Sequence, residues 1–242
     1  MKRMATVFAS LALTIAPTLA ADYDMTDKSP LCEGHLRVPA AAMAIPPLKD
    51  RILALHKADV DQAKADAKDD KEGNPNFHPY TIDTIWRVTF EDATVLSLSG
   101  DTDADTGGAH PNQSFATIVW DKKAGQAVPI EALFAPDQVN VALTAIADAA
   151  RKVWTKTYTQ RSGQPPGKDT DLAETGIGAD PERLKTYALI YAKGQTAANG
   201  IVLLYGAGQA WPNVLGDFRL AVPVAVFAKY LRPQWKGVFV GG

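Results

Sequence analysis

The chain has 242 residues, 25 basic and 27 acidic side chains, a formal net charge of −2 and 46% hydrophobic residues. That balance offers no basic stripe for nucleic acid and is far from the polar composition of a disordered chain. The length suits one domain or two small ones with a real core, and the single cysteine, Cys32, excludes an internal disulfide.

The N-terminus reads as a secretory leader. Lys2 and Arg3 precede an apolar run from Ala5 to Ala16 that is short for a bilayer span, and Pro17-Thr18-Leu19-Ala20-Ala21 ends in small residues suited to signal peptidase. Residues 1–20 are therefore expected to be removed, with cleavage after Ala20 or Ala21. The mature protein is expected in the periplasm or outside the cell, with no stable membrane anchor. The alternative, an uncleaved anchor, is disfavoured because no long apolar stretch follows. Removal of Lys2 and Arg3 leaves 23 basic against 27 acidic residues.

Residues 21–47 carry Pro30, Pro39, Pro46 and Pro47 and read as an extended segment with one strand around Leu36-Arg37-Val38. A helix is expected from Leu48 to about Lys68, with Leu48, Ile52 and Leu55 on its apolar face. Beyond Val60 it becomes a mixture of Ala, Asp and Lys, read as a solvated face or as an acidic docking surface. Gly73-Asn74-Pro75-Asn76 stops it. Strands follow at Ile82–Phe90, Thr94–Ser99 and Phe115–Trp120, and Asp121–Gln126 reads as a hairpin turn. Asp137 is the expected N-cap of a second helix, whose stripe is Leu143, Ile146, Ala150, Val153, Trp154 and Tyr158. A surface loop over 162–180 leads to strands at Leu184–Ala192, Gly200–Tyr205 and Phe218–Val222, and a short helix over Val224–Leu231 closes the chain. Short turns between strands imply a mainly antiparallel sheet. The expected class is α+β, with two principal helices packed on the sheet. Residues 48–242 form one such domain in this reading, with an internal boundary near 135 left open.

The loop Thr106-Gly107-Gly108-Ala109-His110-Pro111-Asn112 lies between two strand-like runs, and its paired glycines permit backbone angles other residues avoid. His110 is displayed there. It either braces the hairpin by bonding backbone carbonyls or contacts a ligand. Most catalytic signatures are missing. The histidines His35, His56, His78 and His110 are scattered with no metal-ligand spacing, and neither a G-x-S-x-G elbow nor a phosphate-binding glycine loop occurs. Cys32, in an irregular segment, is an incidental thiol in this reading. Asp101-Thr102-Asp103-Ala104-Asp105 resembles the start of a calcium loop, but Thr106 stands where that loop needs glycine and Asn112 where it needs a bidentate glutamate. A solvated loop tip is the plainer reading of those aspartates.

The Gly-Gly-Ala-His loop, the following Pro129-Ile130-Glu131-Ala132-Leu133-Phe134, and the terminal runs Gly200–Tyr205 and Gly216–Pro223 together resemble the RsiV/PdaC-type extracytoplasmic domain family. This domain is shared by the anti-sigma factor RsiV and, outside its catalytic domain, by the peptidoglycan deacetylase PdaC. The resemblance spans about residues 45–235 and implies an α+β domain outside the cytoplasm that binds a partner, lysozyme in the case of RsiV. An anti-sigma role is not expected, since no sigma-binding segment or membrane helix is apparent. There is also no room for a deacetylase domain. Trp211 stands where a tyrosine-rich stretch is expected.

The resulting expectation is a periplasmic binding module without catalysis of its own and with no cofactor or metal. It would recognise peptidoglycan, another cell-wall component, or an envelope protein such as the muramidase lysozyme. The candidate contact residues are Gly107, Gly108, His110, Asn112 and Trp211. The alternative is a peptidoglycan-directed hydrolase using His110 with a loop aspartate as its acid–base pair.

Overall fold

A computed structural model describes residues 22–108, 110–167, 176–191, 196–210 and 213–240. In chain order the elements are β1 (Tyr23–Lys28), β2 (Cys32–Val38), α1 (Ala40–Met43), α2 (Pro46–Gly73), β3 (Tyr80–Glu91), β4 (Val95–Asp105), β5 (Asn112–Asp121) and β6 (Gln126–Ala127). They continue with α3 (Val139–Ser162), α4 (Pro181–Leu184), β7 (Tyr187–Ile190), β8 (Gly200–Tyr205), β9 (Phe218–Pro223) and α5 (Pro233–Lys236). Among the described residues no helix is long and apolar enough to cross a membrane.

The class is α+β, but the strands form two sheets: a six-stranded one in the order β1 to β6 and a three-stranded one in the order β7 to β9. Among the described residues, the named strands pair antiparallel except β2 with β3, which are parallel and joined by α2. A parallel pair needs a long crossover, and the helix supplies it.

Each long helix covers one sheet. α2 opens with Pro46 and Pro47, where a missing N–H costs no helical bond. It buries Leu48, Ile52, His56, Val60, Ala63 and Ala67, a stripe at helical spacing that rests on β2 and β3. Leu55, expected in that stripe, is instead exposed. Ala63 and Ala67 carry the buried stripe past Val60 because small side chains let the helix lie close over Cys32, Tyr80 and Ile82. α3 packs on β9, burying Leu143, Ile146, Ala150 and Trp154. The Trp154 indole donates to the Ala210 carbonyl at 2.8 Å, so its one polar group is satisfied in the core. The cap of α3 is Gln138, without a side-chain bond, and the Asp137 carboxylate accepts from the Gln138 side chain instead.

Strand alternation divides the core. On β4 and β5, Leu96, Leu98, Ile118 and Trp120 face α2, whereas Val95 and Val119 join the core shared with the three-stranded sheet. A bulge between Val88 and Phe90 shifts the β3 register by one residue and sends Phe90 to that second core. The segment 21–47 is more regular than its prolines suggested, since it supplies both β1 and β2. The closing segment after Pro223 forms two short 3-10 turns, Val224–Val226 and Ala228–Tyr230.

Candidate functional site

β3 and β4 pair as far as Thr81 with Asp105. The chain entering β3 and the chain leaving β4 therefore end side by side. One is the segment 74–80 after α2, and the other is the glycine loop. Together they form a pocket of about 440 Å³ lined by Asp70, Asn74, Asn76, His78, Tyr80, Thr106, Gly107 and Gly108.

The loop wall is fixed by its own chemistry. Gly107 has φ +81°, a conformation that side chains disfavour, and its N–H donates to Asp105 Oδ1 at 2.9 Å. A Cβ on Gly107 would lie 3.4 Å from His78 Nε2. On the facing wall Asn74 Oδ1 accepts the Asn76 N–H at 2.9 Å. His78 Nδ1 is 3.2 Å from the Pro79 carbonyl, which can only accept, so Nδ1 is the donor there, and Nε2 lies beside Gly107. The Tyr80 phenol is held above its ordinary range by burial and by the carboxylates of Asp70 and Asp66. Phe77 packs 6.0 Å from the Tyr80 ring, with the Lys71 ammonium 5.7 Å from its centroid. The pocket thus offers hydrogen-bond donors and acceptors beside an aromatic pair. Its histidine is oriented by a backbone carbonyl rather than by a carboxylate.

Of the sequence-derived candidates, Gly107 and Gly108 line this pocket. His110 is exposed and makes no hydrogen bond or ion pair among the described residues, so the brace of the hairpin is Asp105 rather than His110. Asn112 is exposed and begins β5 opposite Ala104. Trp211 lies outside the described residues. Sequence reasoning missed Asp70, Asn74, Asn76, His78 and Tyr80. Their signal was the helix stop at Gly73-Asn74-Pro75-Asn76 immediately before a strand.

The three alternating aspartates do not form a loop. Asp101, Asp103 and Asp105 lie within β4, on one face of an extended strand that spaces them roughly 6.7 Å apart. Asp101 Oδ2 accepts from Arg87 at 2.7 Å and Arg219 at 3.2 Å, and Asp105 holds Gly107. Among the described residues no three His, Cys, Asp or Glu side chains gather as metal ligands. Cys32 is buried, and burial pushes its thiol up.

Comparison with known proteins bears on the same region. Residues 25–113 match the family model described as "Deacetylase PdaC". Over that span the chain is PdaC-like. The PdaC-like span runs from within β1 through β4 and includes both walls of the pocket and the glycine loop. No curated protein matches the chain. Two solved structures share its fold over nearly the whole length. A DUF3298 family protein from Pseudomonas aeruginosa PAO1 has a TM-score of 0.54 at 12% identity, covering 92% of this chain and 95% of that one. A DUF3298 family member from Bacteroides fragilis has a TM-score of 0.53 at 10% identity, covering 90% and 95%. The fold of the DUF3298 proteins thus extends beyond the PdaC-like span through α3 and the three-stranded sheet.

Proposed function

We propose that the protein is an exported binding module of the cell envelope. Its recognition site is the pocket between the glycine loop and the segment 74–80, and its partner is a cell-wall component or an envelope protein such as lysozyme. The observation that carries this reading is that the backbone of Gly107 and Gly108 forms one wall of a polar pocket whose other wall presents Asn74, Asn76, His78 and Tyr80. Convergent polar groups beside an aromatic pair suit a ligand rich in hydroxyl and amide groups. The leader-like N-terminus supports the location, and the PdaC-like span supports an extracytoplasmic role. His110 stands exposed two residues beyond Gly108, available for contact with a macromolecular partner.

The test is binding of the exported protein to purified peptidoglycan and to hen egg-white lysozyme, with Asn76→Ala, His78→Ala and His110→Ala compared. Binding to one of the two should weaken about tenfold in His78→Ala, the effect of losing a charge-free hydrogen bond or two, while the melting temperature holds. Failure to bind either ligand would remove this reading.

A further inference from the structure

A second site lies on the free edge of β5. Lys122 N–H donates to the Thr94 carbonyl and Val128 N–H to the Val119 carbonyl. Even-numbered positions of β5 therefore bond β4, and odd-numbered positions point away from it. On that outer side β6 pairs only with Trp120 and Asp121, and the Val128–Val119 bond extends the ladder by one step. There it stops. Ile130, the residue that would face Thr117 in that register, opens the 3-10 turn Ile130–Leu133 instead. Thr117, the next outward position, keeps a backbone N–H and C=O without a backbone partner among the described residues.

A pocket of about 340 Å³ opens at this broken ladder, between β5, the diverging Val128-Pro129 strand end, α4 and the first half of α2. Ile118, Val119, Val128 and Ile130 are among its apolar lining, and two opposite charges line it, Arg51 and Glu131. Neither has an ion pair among the described residues, whereas the neighbouring Lys185 and Glu182 pair with each other at 3.0 Å. The pocket has no lining residue in common with the glycine-loop pocket.

We propose that this pocket binds a short zwitterionic peptide, added in extended form to the free edge of β5. The peptide backbone continues the ladder that the turn at Ile130 interrupts, bonding Thr117 N–H and C=O. Its carboxylate meets Arg51, its ammonium meets Glu131, and small side chains meet the apolar lining. An unpaired strand edge is a template for another chain, and backbone pairing gives such binding its affinity. The volume, near the lower end of the roughly 300–1,000 Å³ of small-ligand pockets, limits the occupant to a short peptide.

The test is titration of the isotope-labelled exported protein with tri-alanine, followed by amide chemical shifts, with N-acetyl, C-amide and doubly capped forms alongside. Tri-alanine at roughly millimolar concentration should shift the Thr117 amide and slow its hydrogen exchange. Capping either end, or Arg51→Gln at this exposed helix position, should weaken binding about three- to fivefold, the size of one partly exposed ion pair. No movement of the Thr117 amide at roughly ten times that concentration would overturn the proposal. So would a doubly capped peptide that binds as well as the free one. Either failure leaves the glycine-loop pocket and its own binding test unaffected.

Discussion

Gly107 determines the shape of the candidate site, because its left-handed backbone turns the chain so that Asp105 can hold its N–H. Gly107→Ala forces a side chain into that conformation, at about 1–2 kcal/mol, and brings a methyl within 3.4 Å of His78 Nε2. A lowered denaturation midpoint together with lost ligand binding is the expected result, and an unchanged midpoint would contradict the strained turn. His56 makes a different prediction. It is buried on the inner face of α2, with Nδ1 3.4 Å from Thr84 Oγ1, which in turn lies 3.0 Å from Thr102 Oγ1, and its Nε2 has no partner among the described residues. Burial lowers its pKa below 6.5; the nearby Asp27 opposes that shift and His35 adds to it. The fold therefore holds His56 neutral. As pH falls through 6.5 the unfolded chain takes a proton that the folded chain refuses, so stability declines below 6.5 and levels off once the folded state also titrates. Melting temperatures between pH 7.5 and pH 5 should show this decline, and His56→Phe should flatten it. The carboxylates Asp27 and Glu33, held low by Lys64 and Lys28, lose their contribution only at more acid pH.

At the scale of elements, some of the structure was legible and some was not, for identifiable reasons. α2, α3 and β8 announce themselves by periodicity or by an unbroken apolar run, and all three stand close to where the pattern puts them. β1 does not, because an edge strand carrying Asp24, Asp27 and Lys28 is held by ladder bonds rather than by a buried face. The second half of β4 was hidden in the same way. Its aspartates look like a loop, yet they are tolerated in a strand because Asp101 is neutralised across the sheet by Arg87 and Arg219. The glycine loop was visible from its paired glycines. The facing wall was not, because only the pairing of β3 with β4 brings Tyr80 beside Thr106. Asp101 gives the prediction that belongs to this scale. Its carboxylate joins β4 to β3 and to β9, and Arg219 also stacks over Phe115 at 4.8 Å. Asp101→Asn should cost about 1–2 kcal/mol, less than a fully buried pair because both arginines are half exposed. Denaturant midpoints at low and high salt would check it, since the loss should shrink as salt rises.

For the whole molecule, the question is whether the PdaC-like strands and the three-stranded sheet unfold as one body. β7 rests against β3, β4 and β5, and the contact is specific. Ser97 Oγ accepts the Leu189 N–H at 2.9 Å and the Thr89 hydroxyl at 2.9 Å, and the Tyr187 hydroxyl donates to the Val128 carbonyl at 2.7 Å. One continuous cluster runs from Phe90, Val95 and Val119 of the larger sheet through Leu189, Ile201 and Leu220 to Ile146 and Trp154 of α3. Elements that share a core cannot lose it separately without exposing the remainder, so a single calorimetric transition is expected, with equal calorimetric and van't Hoff enthalpies. Ser97→Ala tests the junction. It leaves the buried Leu189 N–H without its acceptor, at about 1–3 kcal/mol, which in a domain of this size lowers the melting temperature by roughly 2–4 °C per kcal/mol. If the sheets are one unit, the whole transition moves down and stays single. If the variant instead resolves into two transitions with the upper one unmoved, the two sheets are separate folding units, and the shared core adds little to either.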